Sequence, residues 1–151
     1  MRCKEIGLRS NTTNTGLIES NLKLSRTSYP ASNGTEYFLS FEEPKNSALV
    51  GFLRLRIPSN RAHRPEIKSA RTSVIRELHV YGSALAFGDR DRNAWQHKGL
   101  GKALVAEAEK LAAEEFEATK MIVISAVGTR KYYSKLGYQL DGPYMSKALK
   151  R

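Results

Sequence analysis

The amino-acid sequence predicts an α/β (α+β) domain, and three observations lead to this class. A segment with apolar residues at steps of three and four begins at Leu100 and is long enough for an amphipathic helix. Segments rich in β-branched residues precede and follow it, at Ser73–Val80 and Met121–Ile124. A chain of 151 residues can bury one substantial core. We therefore expect a single domain that spans residues 1–151 and combines a sheet with helices.

The first half of the chain is predicted to be rich in strands. Tyr37–Phe41 and Ala48–Ile57 are apolar segments, and the polar residues between them, which include a proline, are typical of a hairpin turn. Within the second segment Arg54 and Arg56 fall on one face, because side chains alternate along a strand. The segment Ser73–Val80 alternates apolar and polar residues, which indicates a strand with one buried face.

The segment Gln96–Lys102 (QHKGLGK) predicts a phosphate-binding turn that opens onto the helix. Gly99 and Gly101 have no Cβ, so the main chain can turn tightly and direct N–H groups at phosphate oxygens. The unpaired N–H groups of the first helical turn, with Lys98 and Lys102 nearby, favour an anion at the same place. A short Gly-x-Gly pattern is equally typical of an ordinary loop before a helix, so its neighbours decide between the two interpretations.

Downstream of the helix the sequence predicts three further elements. Met121–Ile124 is a continuous apolar run with the length of a buried central strand. A short helix is predicted in the segment Gly128–Leu136, with Thr129 as its N-cap, and Gly137 is in the position of a C-terminal stop. The last segment, Tyr138–Leu149, is predicted to form one strand.

These motifs together resemble a known family. The turn at Gln96–Gly101, the strand before it and the later Tyr-Tyr-x-x-x-Gly-Tyr motif at Tyr132–Tyr138 resemble the acetyl-coenzyme A site of GCN5-related N-acetyltransferases. Longer segments are similar to the C-terminal acetyltransferase-like domain of the Elongator catalytic subunits, radical-SAM enzymes that modify the wobble uridine of tRNA. These segments are Arg76–Gly82, Gln96–Gly101, Val123–Gly128 and Leu140–Lys147. The resemblance implies the GCN5-related N-acetyltransferase fold, with a mixed, mostly antiparallel central sheet flanked by helices.

The resemblance also implies a set of site residues for acetyl-coenzyme A. The strand backbone would lie beside the pantetheine arm, the turn would hold the pyrophosphate, and Tyr133 would protonate the leaving thiolate, a role that suits a phenol. Glu77 and His79 are candidate bases, although each is equally typical of a solvated strand face. Tyr132 points elsewhere on its helix, so one tyrosine of the pair is expected to pack while the other faces the ligand. The implied cofactor-binding residues are Glu77, Leu78, His79, Val80, Gln96, His97, Lys98, Gly99, Leu100, Gly101, Lys102 and Tyr133.

For the whole family protein the resemblance implies a separate radical-SAM domain that binds S-adenosylmethionine and a 4Fe–4S cluster. This chain has 1 cysteine, too few for such a cluster, so it is expected to be a fragment or a stand-alone relative. Cys3 matches the end of a cysteine cluster that supplies zinc ligands between the two domains, but it is also typical of a free thiol near a terminus. One cysteine cannot build a tetrahedral zinc site, so we expect no metal in this chain.

The charge balance predicts an acidic partner. The chain carries 25 Lys and Arg against 15 Asp and Glu, a formal net charge of +10. The basic residues cluster in loops around Arg54–Arg71 and Arg90–Lys102, which favours nucleic acid as a partner as well as coenzyme A. No RNA-reading motif with stacked aromatic residues is evident, so a generally basic domain is the alternative interpretation. The candidate RNA-binding residues are Arg54, Arg56, Arg61, Arg64, Arg71, Arg90 and Arg92.

Three functions are consistent with the sequence. The closer resemblance implies that the domain binds acetyl-coenzyme A and, in the full-length enzyme, supplies its acetyl group for carboxymethyl modification at C5 of the wobble uridine in tRNA. The alternatives are a lysine or protein N-acetyltransferase and a non-catalytic RNA- or protein-binding module. The expected partners are tRNA, the radical-SAM domain of the same protein and other Elongator subunits. A cytoplasmic location is expected, because no signal peptide and no apolar run that approaches a membrane span are visible.

Overall fold

The computed structural model of the protein describes residues 22–44, 47–81 and 99–150, and its main feature is one seven-stranded sheet in the order β1-β2-β3-β4-β5-β7-β6. Only β4 and β5 are parallel, and every other pair of neighbours is antiparallel. The predicted mixed, mostly antiparallel sheet with helices is therefore confirmed. The strands are β1 (Lys23–Ala31), β2 (Gly34–Glu43), β3 (Ala48–Ile57), β4 (Thr72–Val80), β5 (Lys120–Val123), β6 (Gln139–Asp141) and β7 (Tyr144–Ala148). The helices are α1 (Pro65–Lys68), α2 (Leu100–Phe116) and α3 (Arg130–Lys135).

Strands β1 to β4 form an antiparallel meander. The predicted hairpin is confirmed as β2 and β3, whereas β1 was not predicted. Strand β1 pairs with β2 along its whole length through a two-residue turn at Ser32 and Asn33, whose φ angles are 45° and 62°. Such turns match the right-handed twist of the strands they join. The sequence does not predict β1 because its residues are mostly polar and exposed, as expected of an edge strand.

Strands β3 and β4 differ in how they are covered. In β3, Leu53 and Leu55 are fully buried while Arg54 and Arg56 lie on the other face, as predicted. In β4 the prediction of one buried face is wrong for the first half, because Thr72–Ile75 are all buried. This half has neighbouring strands on both edges and packing on both faces, so the alternation of exposure disappears.

Helix α2 packs against β2, β3 and β4 and covers one face of the sheet. Its buried positions recur at three- and four-residue steps, as the sequence predicts. The helix ends at Glu117, which has a φ of 52°, and Ala118 N–H closes this end by donating to Ala112 O at 2.9 Å. The buried residues of the helix are Leu100, Leu104, Val105, Ala108, Leu111 and Ala112.

The C-terminal part of the chain departs from two predictions. Thr129 lies at the predicted N-cap position of α3, but its side chain does not cap the helix, because its Oγ1 donates to Ala126 O at 2.9 Å within a 3-10 turn that precedes the helix. The predicted single last strand is wrong, because a turn at Gly142, with a φ of 58°, divides it into β6 and β7. The stop at Gly137 is confirmed by a φ of 90°.

A buried ion cluster lies on the face of the sheet opposite α2. Glu36 is only 1% exposed, and its Oε1 accepts hydrogen bonds from Arg56 Nη1 at 3.1 Å and Arg76 Nη1 at 2.7 Å. Arg56 also donates to Ala31 O at 3.0 Å and Ser32 O at 3.1 Å. Arg56 therefore fixes the β1–β2 turn to the sheet. Within residues 22–44, 47–81 and 99–150, no helix is both long and apolar enough to cross a membrane.

Candidate functional site

Strands β4 and β5 separate near the middle of the sheet. They pair only over Thr72–Ile75 and Lys120–Val123, and a last hydrogen bond joins Ile124 N–H to Ile75 O at 3.0 Å. Strand β4 continues to Val80 and stays paired with β3 on its other edge. Among the described residues, no strand pairs with the second half of β4 on the β5 side. We call this opening the β4–β5 cleft; its β4 edge presents backbone groups that an extended ligand can pair with.

The first turn of α2 lies at the β4–β5 cleft. The helix begins at Leu100 after Gly99, whose φ of 96° favours glycine. In the described part of the chain no side chain caps this end and no acidic residue lies in the first turn, so its N–H groups can receive an anion. A Cβ on Gly101 would lie 2.7 Å from the Tyr132 hydroxyl and 3.7 Å from Val80 Cγ2. Helices α2 and α3 and strand β4 therefore converge at Gly101, where a side chain would have to displace a neighbour.

The two tyrosines of α3 have different surroundings. Tyr133 is 6% exposed, and its ring packs edge-on against Tyr132 and Tyr138 at centroid distances of 5.1 and 5.9 Å. Burial, with a smaller contribution from Tyr132, raises the pKa of Tyr133 to about 12. Tyr132 is 39% exposed, and its hydroxyl is the one that lies against Gly101. The role of Tyr133 stays a prediction, and the sequence did not indicate that Tyr132 would reach the first turn of α2.

The candidate residues of β4 divide between the two faces of the sheet. Leu78 and Val80 are half-buried and pack against the core beneath α2. Glu77 and His79 are exposed on the opposite face, where Glu77 Oε2 pairs with Arg54 Nη1 at 3.3 Å. The backbone of this segment borders the β4–β5 cleft, whereas the carboxylate of Glu77 already has a cationic partner. The roles of Glu77 and His79 as bases stay predictions.

Four aromatic rings form a row on the face opposite α2. Phe38 and Phe52 stack with centroids 5.0 Å apart, and Phe52 stacks on His79 at 5.9 Å. Tyr81 follows, 4.5 Å from His79. We call these four residues the aromatic row. The sequence showed no set of stacked aromatic residues because they come from three strands and the residue after β4, and only the strand register brings them together.

The structure separates the predicted RNA-binding arginines into different environments. Arg56 belongs to the buried cluster of Glu36, and Arg71 pairs with Glu117. Arg64 Nε donates to the Tyr144 hydroxyl at 3.1 Å. Arg61 is exposed, and Arg54 pairs with Glu77. Five of the predicted arginines therefore have a described position. Arg76, which was not predicted, lies with Arg54 and Arg56 on the sheet face opposite α2.

Several predicted site residues lie outside the described residues. They are Gln96, His97 and Lys98 of the turn, Arg90 and Arg92 of the preceding loop, and Cys3. Lys102 is described and exposed in the first turn of α2. In the described ranges no group of three or more His, Cys, Asp or Glu residues could hold a metal ion.

A separate groove of about 710 Å³ lies between α2 and β7. Glu109 in its lining accepts a hydrogen bond from the Tyr138 hydroxyl at 2.7 Å and pairs with Lys147 at 3.0 Å. Burial and this hydrogen bond raise the pKa of Tyr138. The groove shares no lining residue with the β4–β5 cleft. Its Glu109 carboxylate already has two partners, Tyr138 and Lys147.

Comparison with known proteins adds three findings. The family described as an acetyltransferase (GNAT) domain matches residues 92–148. Elongator complex protein 3 is 48% identical over 149 residues in Schizosaccharomyces pombe, covering 99% of this chain and 27% of that protein. The Drosophila melanogaster protein of the same name is 48% identical over 149 residues, covering 99% of this chain and 26% of its own length. The chain thus spans about a quarter of the length of these curated relatives.

A solved structure is similar over most of the chain. The archaeal Elp3 of Methanocaldococcus infernus, with an N-terminal deletion, matches with a TM-score of 0.76 and 48% sequence identity. The match covers 85% of this chain and 30% of that one.

Proposed function

Because this chain is an acetyltransferase-like (GNAT) domain of the Elongator complex protein 3 family, we propose that it binds acetyl-coenzyme A in the β4–β5 cleft. The observation that carries the proposal is the convergence, at Gly101, of the first turn of α2 with an edge of β4 that no strand of the described residues pairs with. The N–H groups of the first turn of α2, which no described side chain caps, suit a pyrophosphate. The β4 edge suits the amide groups of pantetheine, which can pair as an added strand does.

Each residue predicted to bind acetyl-coenzyme A has a role in this proposal. The turn Gln96–Lys102 holds the pyrophosphate, and the backbone of Glu77–Val80 holds the pantetheine arm. Tyr133 protonates the leaving thiolate; burial raises its pKa to about 12, so the phenol keeps its proton at neutral pH. Glu77 or His79 acts as the base where an acceptor must be deprotonated.

We further propose that the chain acts as one domain, residues 1–151, of a longer cytoplasmic protein. In that protein the domain supplies the acetyl group for carboxymethyl modification at C5 of the wobble uridine in tRNA. S-adenosylmethionine and the 4Fe–4S cluster belong to a radical-SAM domain, because the 1 cysteine of this chain, Cys3, cannot hold a cluster and at most contributes to a shared zinc site. Other partners are tRNA and further Elongator subunits.

Acetyl-coenzyme A binding is tested by calorimetric titration of the 151-residue chain. We expect saturable binding that Gly101→Val weakens strongly, because the side chain would enter the space between Val80 and Tyr132. Gly128→Val is the matched control, since a Cβ on Gly128 has no heavy atom within 4 Å. A wild-type chain that binds no acetyl-coenzyme A, and is indifferent to Gly101→Val, would favour the non-catalytic module.

The acceptor is tested separately with labelled acetyl-coenzyme A and either tRNA or a histone-tail peptide. We expect slow loss of the thioester, and no acetylated peptide, from the chain alone. Efficient acetylation of the peptide would contradict the tRNA proposal and favour a lysine or protein N-acetyltransferase.

A further inference from the structure

The aromatic row has the geometry of a rigid stacking surface. The ring planes of Phe38 and Phe52 differ by 22°, and those of Phe52 and His79 by 14°. The row ends at Tyr81, whose ring is tilted by 49° from His79. Neighbouring rings on adjacent strands hold one another in place, so little side-chain entropy remains to be lost when a further ring binds.

The row is exposed at the end that borders the β4–β5 cleft. Phe38 and Phe52 are half-buried, whereas His79 is exposed and Tyr81 is 43% exposed. His79 belongs to β4 and Tyr81 follows it directly, and Tyr81 N–H donates to Val50 O at 2.9 Å, which fixes the main chain there. An aromatic ligand on Tyr81 and His79 would therefore lie next to the strand whose edge forms the β4–β5 cleft.

The charges around the row favour a polyanion. Arg54 lies on the same face, between the positions of Phe38 and Glu77 in the strand register. Its Nη1 pairs with Glu77 Oε2 at 3.3 Å, and the Arg54 side chain is 33% exposed. Arg76, 40% exposed at its side chain, adds a second guanidinium. Guanidinium groups beside exposed rings are the combination that binds single-stranded nucleic acid, in which bases stack and phosphates pair with cations.

We propose that the aromatic row is a nucleobase-stacking site for single-stranded RNA, with the base on Tyr81 and His79 and the phosphates on the side of Arg54. The inference rests on the proposed function, since it names where its RNA acceptor binds. A base held there lies beside the cleft that holds the acyl donor. A protein partner is disfavoured as the occupant because the net charge of +10 and the flanking arginines complement a polyanion.

The test uses the 151-residue chain and a short single-stranded RNA that carries 2-aminopurine, whose fluorescence is quenched when it stacks. Affinity is measured by anisotropy at several KCl concentrations. We expect Tyr81→Ala and Tyr81→Leu to weaken binding about tenfold or more and to remove the quenching, because a base loses its stacking partner. Tyr81→Trp should bind at least as well as wild type. The salt dependence of the RNA affinity should be unchanged in all three variants, since none of them removes a phosphate contact.

Tyr29→Ala is the matched control, because Tyr29 is 41% exposed on the same sheet face but lies on β1. Its affinity for RNA should equal that of wild type. The inference is overturned if Tyr81→Ala binds RNA as Tyr29→Ala does, or if Tyr81→Leu keeps full affinity, which would indicate a general apolar docking face. It is also overturned if the wild-type chain binds acetyl-coenzyme A but no RNA. If the wild-type chain does not bind acetyl-coenzyme A, that result contradicts the proposed function instead. If Tyr81→Ala does not fold, Tyr81→Leu and Tyr81→Trp provide the test. Equal RNA affinity of these two variants would overturn the inference.

Discussion

Gly101→Ala separates the structural role of the first turn of α2 from its role in binding. In the native chain the added Cβ would lie 2.7 Å from the Tyr132 hydroxyl, so that hydroxyl must move. The next nearest atoms, Tyr132 Cζ and Val80 Cγ2, are both 3.7 Å away, which is ordinary contact. In a Tyr132→Phe background the hydroxyl is gone, and the same methyl group fits without overlap.

Two opposing effects determine how Gly101→Ala changes the free energy of unfolding. Alanine is favoured over glycine within a helix by about 0.8–1.0 kcal/mol. Overlap with Tyr132 opposes this by about 1–3 kcal/mol, with the lower end expected because a hydroxyl at the end of a side chain can swing away. Gly101→Ala should therefore leave the free energy of unfolding within about 1–2 kcal/mol of wild type. In the Tyr132→Phe background it should raise the melting temperature by about 2–4 °C, since the favourable effect acts alone.

Acetyl-coenzyme A binding should respond differently. The methyl group lies within the turn proposed to hold the pyrophosphate and 3.7 Å from Val80, whose backbone is proposed to hold the pantetheine arm, so we expect a loss of affinity of about tenfold in both backgrounds. Thermal melting and calorimetric titration of the four proteins, with Gly128→Ala as a control in open space, measure both quantities. Equal melting shifts in the two backgrounds, together with unchanged affinity, would refute the argument that α2, α3 and the ligand meet at Gly101.

The other predictions concern Tyr133 and buried charge. Tyr133→Phe should slow release of the coenzyme A thiol, measured with a thiol reagent, while acetyl-coenzyme A still binds; an unchanged rate would remove Tyr133 from the mechanism. Because burial raises the pKa of Tyr133 from 10.0 to about 12, the folded chain keeps a proton that the unfolded chain loses. Stability should therefore fall between about pH 10 and 12, and melting temperatures in that range should fall less steeply for Tyr133→Phe; parallel curves would contradict this. Glu36→Ala should lower the free energy of unfolding in urea by about 3–5 kcal/mol, because Arg56 and Arg76 lose a partner that is 1% exposed. Glu115→Ala breaks the pair of Glu115 with Arg26, whose two side chains are each 46% exposed, and should lower the free energy of unfolding by at most about 1 kcal/mol. Equal losses for Glu36→Ala and Glu115→Ala would show that burial of the pair is not the cause.

The elements that the sequence predicted well are those whose signals are local. Helix α2 follows from apolar spacing within one segment, and β3 from the alternation around Arg54 and Arg56. Strand β1 carries no such signal, because it owes its conformation to hydrogen bonds with β2. The division of the last strand did have a local signal, Asp141–Pro143 (DGP), which is typical of a turn and was read as part of a strand.

The site shows the same division between local and non-local information. Gly99 and Gly101 were selected from a pattern of adjacent residues, and both lie at the start of α2. The contact of Tyr132 with Gly101 depends on how α3 packs, which no spacing in the sequence reports. The stacking of Phe52 on His79 depends on cross-strand register beyond a bulge at Arg54, so it could be found only in the structure.

The short parallel pairing of β4 and β5 also sets an order for folding. Strands β1 to β4 are joined by near neighbours in the chain and can assemble as soon as they are synthesised. Strand β5 can join only after α2 has crossed over the sheet, which closes a much longer loop. The β5 side of β4 therefore gains its neighbour only after strands β1 to β4 can have assembled. A ligand bound there joins an early-forming half of the sheet to a late-forming one, and it should slow unfolding most where the two halves part.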